Sequence, residues 1–266
     1  MSQADDPSHD GAMKPGHHSR SEFLVRLALG GLGAMAAVAA KADDHTTTAS
    51  RITLKGRPDS RIKRWDIVTV GNLARNVYWG EVPPRQYRPT LCTCTLIQGE
   101  GFRLLTDPSL ASAEQMATEL DRRSGLKIAA IDSVFVTHHH GDHWAGLAHF
   151  PDAKWFAAPG VAQEINATKK LPKPVEPAGG SAFAAIELVP TPGHTLSHHS
   201  LRFDCAGFSV VIAGDAVMTR DHFHDRLGHH NSVDLTLAAK SIDRIAGLAD
   251  IVVPGHDNYF LNLPVP

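Results

Sequence analysis

The chain has 266 residues, with 26 Lys and Arg against 28 Asp and Glu and a formal net charge of −2. That length holds one globular domain of ordinary size, and nothing in the near-neutral balance suggests a nucleic-acid partner. Three cysteines cannot all pair internally; Cys92 and Cys94, two apart on one strand face, have poor disulfide geometry, so all three are read as small buried apolar residues.

Residues 1–42 read as an export signal. A polar stretch with Lys14 and Arg20 leads into Phe23 to Leu29 and then a Gly- and Ala-rich run through Ala40, and Ala40-Lys41-Ala42 offers a cleavage site before Asp43 and Asp44. The uninterrupted apolar part is shorter than the roughly 20 residues of a bilayer span, so cleavage, not a stable membrane anchor, is expected. Ser19 to Leu24 resembles a twin-arginine export signal with Ser21 in place of the second arginine, which points to the bacterial periplasm; the alternative is a cytoplasmic leader. His9, His17, His18 and His45 fall in polar stretches and are read as solvated. Residues 43–62 are polar and rich in Thr, Arg and Pro, a linker with one short strand at 51–54.

A single domain is expected over 63–266. Strand-like runs at Trp65–Val70, Asn76–Trp79, Leu91–Gln98 and Phe102–Thr106 have the spacing of a meander. Val82 to Pro89 is too proline-rich for regular structure and is read as a loop bordering the site. Arg75, Arg85, Tyr87 and Arg88 are read as surface groups there, with contact to an anionic substrate as the alternative. Asp107-Pro108-Ser109 turns the chain into a helix with Leu110, Ala113, Met116, Ala117 and Leu120 at helical spacing and Gly125 past its end.

The run Ile131 to Val136 predicts a buried strand that ends at Thr137-His138-His139-His140-Gly141-Asp142-His143. If the extended geometry persists, His138 and His140 point to one side and can grip one ion. Gly141 lets the chain turn and deliver Asp142 and His143 to a neighbouring point. Imidazole nitrogen and carboxylate oxygen suit zinc, iron or manganese. Downstream come a short helix at Trp144–Phe150, a strand at Lys154–Ala158, a helix at 159–168, and a proline-rich loop at 170–180 read as a substrate lid. Strands at 184–189, 208–213 and 250–253 end just before His194, Asp215 and His256. Between the last two lie a loop through Met218, His222, His224, His229 and His230, whose histidines are read as solvated with binding of substrate or an adventitious ion as the alternative, and an amphipathic helix at 233–248.

The order His-x-His-x-Asp-His, then His, Asp and His, resembles the metallo-β-lactamase superfamily of binuclear metallohydrolases over roughly residues 65–260. The resemblance implies an α+β fold, a four-layer αββα sandwich with two divalent metal ions at one edge, zinc first and iron or manganese as alternatives. Carried over, His138, His140 and His194 hold one ion, Asp142, His143 and His256 the other, and Asp215 bridges them. Asp107 matches the residue that braces the ligand loop, with a plain turn aspartate as the alternative, and His198 matches a structural histidine of lactonase-like branches.

The resemblance implies hydrolysis, a hydroxide between the metals attacking a carbonyl and Asp142 orienting it and shuttling its proton. Asp215 stands where true β-lactamases have cysteine or no ligand. The helical extension of glyoxalase II-type thioesterases and the inserted domain of the nuclease branches are also not matched. A lactone or other carboxylic ester of small-molecule size is the expected substrate, although Met218 stands where acyl-homoserine-lactone lactonases usually have a tyrosine. Thioester or phosphodiester hydrolysis and iron-dependent sulfur oxidoreduction are the alternatives, with non-catalytic metal binding behind them.

Overall fold

The computed structural model describes residues 54–58, 60–179, 183 and 185–263. The expected export signal and the expected linker up to residue 53 lie outside them.

Two sheets form the frame. The first runs, in spatial order, β1 (Ile62–Thr69), β2 (Cys94–Gly99), β3 (Phe102–Thr106), β4 (Ser133–Val136), β5 (Lys154–Ala157) and β6 (Glu176–Pro177). Strands β1 to β3 are the expected antiparallel meander, and β4 to β6 extend it in parallel. The second sheet has the order β11 (Phe260–Leu261), β10 (Ile251–Pro254), β9 (Phe208–Gly214), β8 (His199–Cys205), β7 (Ile186–Pro190). Only β9 and β10 are parallel in it.

Parallel neighbours need crossovers, and crossover helices cover the sheet faces. Helices α1 (Ala113–Ser124), α2 (Gly141–Trp144), α3 (Pro159–Ala167), α4 (Arg220–Asp225) and α5 (Leu235–Leu248) follow in chain order. The Ser112 side chain caps α1 by accepting from Gln115 N, and Gly125 closes it with a φ of 74°. Asp234 caps α5 in the same way through Leu237 N.

Strand alternation sorts the core into three layers. Val134 and Val136 pack with Met116, Leu120, Val161 and Ile165 of α1 and α3. Phe135, between them, points the other way and joins Ile97, Leu104, Leu201, Phe203 and Ile212 between the sheets. Val211 and Val252 meet Ile242 and Ile245 of α5 on the far side. Each such side chain contributes about 1.5–3 kcal/mol on full burial. The fold is therefore an α+β sandwich of four layers, αββα.

Four local expectations need correction. Asn76–Trp79 is not a strand: Val77–Trp79 is a 3-10 turn, because the Asn76 side chain accepts from Tyr78 N at 3.0 Å and Gly80 closes the turn with a φ of 73°. The helix expected at Trp144–Phe150 is split into α2 and a 3-10 turn at Leu147–His149, since Gly146 N leaves the helix to donate to Pro108 O at 2.8 Å. The loop after Asp215 contains α4. Finally, the end of the expected linker is docked: Lys55 N and Gly56 N donate to Asp250 Oδ2 at 2.8 and 3.3 Å. Among the described residues no helix is long and apolar enough to cross a membrane.

Candidate metal centre

Loops leaving the C-terminal ends of β4, β7, β9 and β10 meet at one edge of the sandwich, the position where open α/β sheets place ligands. His138, His140, His194 and Asp215 form one group with mutually close donor atoms, and Asp142, His143 and His256 form a second. All seven residues singled out as ligands are thus brought together. The route differs from the expected one: β4 stops at Val136, residues 137–139 are bends and His140 is the extended residue before α2, so the two imidazoles converge by a bent segment, not by strand periodicity. Gly141 then opens α2, which carries Asp142 and His143.

In the first group, His140 Nδ1 lies 3.0 Å from His138 Nε2 and 2.9 Å from His194 Nε2. Asp215 Oδ2 is 3.2 Å from His194 Nε2 and 3.7 Å from His138 Nε2. Its other oxygen, Oδ1, is 3.1 Å from His143 Nε2 and 3.3 Å from His256 Nε2. Asp215 therefore addresses both groups, one oxygen to each. Asp142 Oδ2, on the open side, is 3.6 Å from His256 Nε2 and 4.0 Å from His143 Nε2.

The outer nitrogens fix the tautomers. His143 Nδ1 donates to Asp107 Oδ2 at 3.0 Å and His256 Nδ1 to Leu91 O at 2.9 Å, which leaves both Nε2 lone pairs facing inward. Thr137 donates to Asp107 twice, from N and from Oγ1, both at 2.8 Å. The Thr137 Oγ1 lone pairs then accept from His138 Nδ1 at 3.2 Å, so His138 also presents a bare Nε2. One buried carboxylate, Asp107, thus orients an imidazole of each group, as the resemblance implies.

This donor set fits divalent cations. His143 Nε2 and Asp215 Oδ1 are buried with no hydrogen-bond partner. Three imidazoles with inward lone pairs and no donor between them repel one another unless a cation lies among them, and orphaned buried polar atoms cost about 1–3 kcal/mol each. Burial pushes His138 well below its usual range and His140 down to about 4, with His194 adding to the effect on His140. Burial by itself would protonate Asp215, yet the imidazoles of His256, His143, His194 and His138 hold it well below the usual carboxylate range. His143 and His256 shift the other way: burial opposes it, but the negative groups beside them, Asp215 among them for both, hold the two imidazoles above their usual range, so in the metal-free centre protons balance the carboxylates there and binding a cation would release them.

The centre opens into a cavity of about 490 Å³ whose floor is His140, Asp142, Asp215 and His256. Its wall holds Leu73, Arg75, Met218, His229, His230 and Asn231.

The family profile described as "Metallo-beta-lactamase superfamily" matches residues 87–256. The chain belongs to that superfamily of hydrolases. Hydrolases of this fold use divalent metals. A thioesterase of Emericella nidulans is 32% identical over 186 residues, 65% of this chain and 48% of the relative. A hydroxyacylglutathione hydrolase of Ruegeria pomeroyi is 30% identical over 110 residues, 40% of each chain. The matched region thus spans less than half the length of these two relatives. Among solved structures, the B. thuringiensis protein AiiA with N-decanoyl-L-homoserine at its active site superposes with a TM-score of 0.59, at 19% identity over 74% of this chain and 94% of its own.

Around this centre the superfamily member differs from its sequence-based reading at several residues. His229 and His230, read as solvated, line the cavity, and only their place between Asp215 and α5 could have signalled it. Of the four groups weighed for anion contact, Arg75 alone reaches the cavity. Arg88 is paired with Glu81, and Arg85 lies over the Tyr87 ring at 4.7 Å. None of residues 170–179, read as a lid, lines the cavity: Lys173 Nζ donates to Pro151 O and Ala153 O at 2.6 Å, and β6 is a sheet edge. His198 is buried, bonded through Nδ1 to Thr191 Oγ1 at 2.8 Å, and stays outside both groups. Cys92 and Cys94 are buried as expected, while Cys205 is only half-buried.

Proposed function

We propose that this protein hydrolyses an activated acyl bond with two divalent cations, zinc first among them, the substrate being a small lactone or other carboxylic ester. One observation supports the reading above the rest: two donor groups share Asp215 on the floor of an open cavity large enough for a small substrate. His138, His140 and His194 would hold one cation, Asp142, His143 and His256 the other, with Asp215 between them. Such cations lower the pKa of water and polarise a carbonyl oxygen.

The chain's own residues do the rest. Asp142, 30% exposed on the cavity side, can accept the proton of the attacking water and pass it to the leaving oxygen. Asp215 fixes the spacing of the two groups, and Asp107 keeps His138 and His143 in the tautomers that present Nε2. Arg75, His230 and Asn231 offer side-chain donors along the wall, the place where a carbonyl or leaving-group oxygen needs them, while Met218 leaves its stretch of wall apolar.

A thioester is the second reading, favoured by the names of the two relatives described above. A matched panel of a lactone, an open ester and a thioester, assayed with metal-replete protein and with Asp215→Ala, separates them. Rapid release from the lactone or ester that the substitution abolishes supports the first reading; release from the thioester alone moves the second ahead. Turnover of none by a protein shown to carry two metal equivalents refutes both. Residues 1–42 lead us to propose export to a bacterial periplasm; a chain found uncleaved in the cytoplasmic fraction overturns it.

A further inference from the structure

A second cavity, of about 480 Å³, adjoins the first. Val77, Tyr78, Pro83, Leu227 and Leu235 supply its apolar wall. Three of these, Val77, Leu227 and Leu235, are about half exposed, at 53%, 51% and 49%. Apolar side chains gathered around a hollow mark a binding surface more often than lone exposed ones do. The two cavities share Arg75 and His230, so these two side chains stand between the metal centre and the apolar wall.

Arg75 stands at that junction without a carboxylate. Its Nε is buried and has no hydrogen-bond partner, and its Nη2 reaches His230 Nε2 only at 3.5 Å. Among the described residues none forms an ion pair with it. A guanidinium presents a fork matched to carboxylate and sulfonate oxygens, and leaving it unpaired in a half-buried place is costly unless a ligand completes it. Arg88 of the same region, by contrast, is satisfied by Glu81.

We propose that the natural substrate is bipartite: a carboxylate-bearing acyl compound whose anion pairs with Arg75 and whose apolar arm occupies the cavity walled by Val77, Tyr78, Leu227 and Leu235. This assignment rests on the hydrolytic reading for the position of the scissile carbonyl, and on the two cavities alone for the anion and the arm. The apolar arm is assigned to the ligand because its cavity lies next to the reactive one, with Arg75 and His230 lining both.

Butane-, hexane- and octanesulfonate probe the assignment without turnover, since a sulfonate pairs with guanidinium and is a weak metal ligand. Calorimetric titration of the metal-loaded full chain is expected to show affinity rising with length, by up to about fourfold per methylene. Arg75→Gln should lose tenfold or more for every sulfonate while leaving the matching alkanol unchanged, and Arg75→Lys should recover part of the loss. Leu227→Gln should flatten the length dependence and spare butanesulfonate. Both side chains are partly exposed, so these variants keep the fold, and unchanged far-ultraviolet dichroism checks this. Affinity independent of length, or indifferent to Arg75, overturns the proposal. So does a dimer in light scattering that Leu227→Gln dissociates, because a second copy would then cover the apolar wall. A protein that turns over no acyl substrate yet shows both dependences refutes the hydrolytic reading and leaves this one standing; turnover with neither dependence does the reverse.

Discussion

At the residue scale the centre depends on groups that do not face the cavity. Asp107 adopts a φ of 48°, a left-handed conformation that Asp tolerates better than most residues. In that conformation its two oxygens reach Thr137 and His143 at once. Asp107→Asn keeps the shape and the tolerance of that φ but removes the charge that holds two N–H and O–H donors in place. Its metal affinity should fall about 10–100-fold, measured by competition with a chromophoric chelator, with the fold retained. An affinity equal to wild type would mean that Asp107 is only a turn residue.

At the element scale, loops are pressed together with little room. A Cβ at Gly255 would lie 2.0 Å from Asp215 Oδ1, so Gly255→Ala must displace the shared carboxylate. Normal dichroism with less than two metal equivalents bound is the expected outcome; two equivalents at wild-type affinity would show that the loop after β10 yields easily. Asp250 ties another junction. Its Oδ2 accepts from Lys55 N and Ser209 N, both at 2.8 Å, and so joins the segment before β1 to β9 and β10. Removing it in Asp250→Ala orphans the buried Ser209 N–H and should cost about 1–3 kcal/mol, read from the denaturant midpoint.

At the scale of the whole molecule, the cations should act as staples between the two sheets, since β4 contributes ligands from the first and β7, β9 and β10 from the second. Chelation should lower the melting temperature, because a ligand that binds only the folded state stabilises it by about 2.7 kcal/mol at a concentration 100 times Kd. A melting temperature unmoved by chelator would argue against ions that bridge the halves. The metal-free protein should also be acid-sensitive. Burial lowers His140 and His229 to about 4 and also lowers His222. For these three groups the unfolded chain binds protons between about pH 6.5 and 4 that the folded one refuses, so their contribution is full above 6.5 and is lost as pH falls through this window, while the raised His143 and His256 contribute with the opposite sign, at higher pH. A flat denaturation midpoint from pH 7 to 4.5 would contradict these shifts.

What the sequence determined by itself follows from periodicity and chemistry. Strands buried on both faces end in short, consecutive apolar runs, so Val134–Val136, Val210–Ala213 and Ile251–Val253 were legible, and a donor just past each run falls at the sheet edge. Asn76–Trp79 misled because a capping side chain and Gly80 decide that turn, whereas the β-rich composition of the run says strand. Cavity walls were the least legible. Arg75, His229 and His230 carry no local pattern that separates a wall from a solvated loop, and the tertiary structure alone decides it by folding the segment after β1 against the loop before α5. The same holds for convergence: each ligand could be named in the chain, but the sharing of Asp215 between two groups exists only once two sheets close on each other and set those distances.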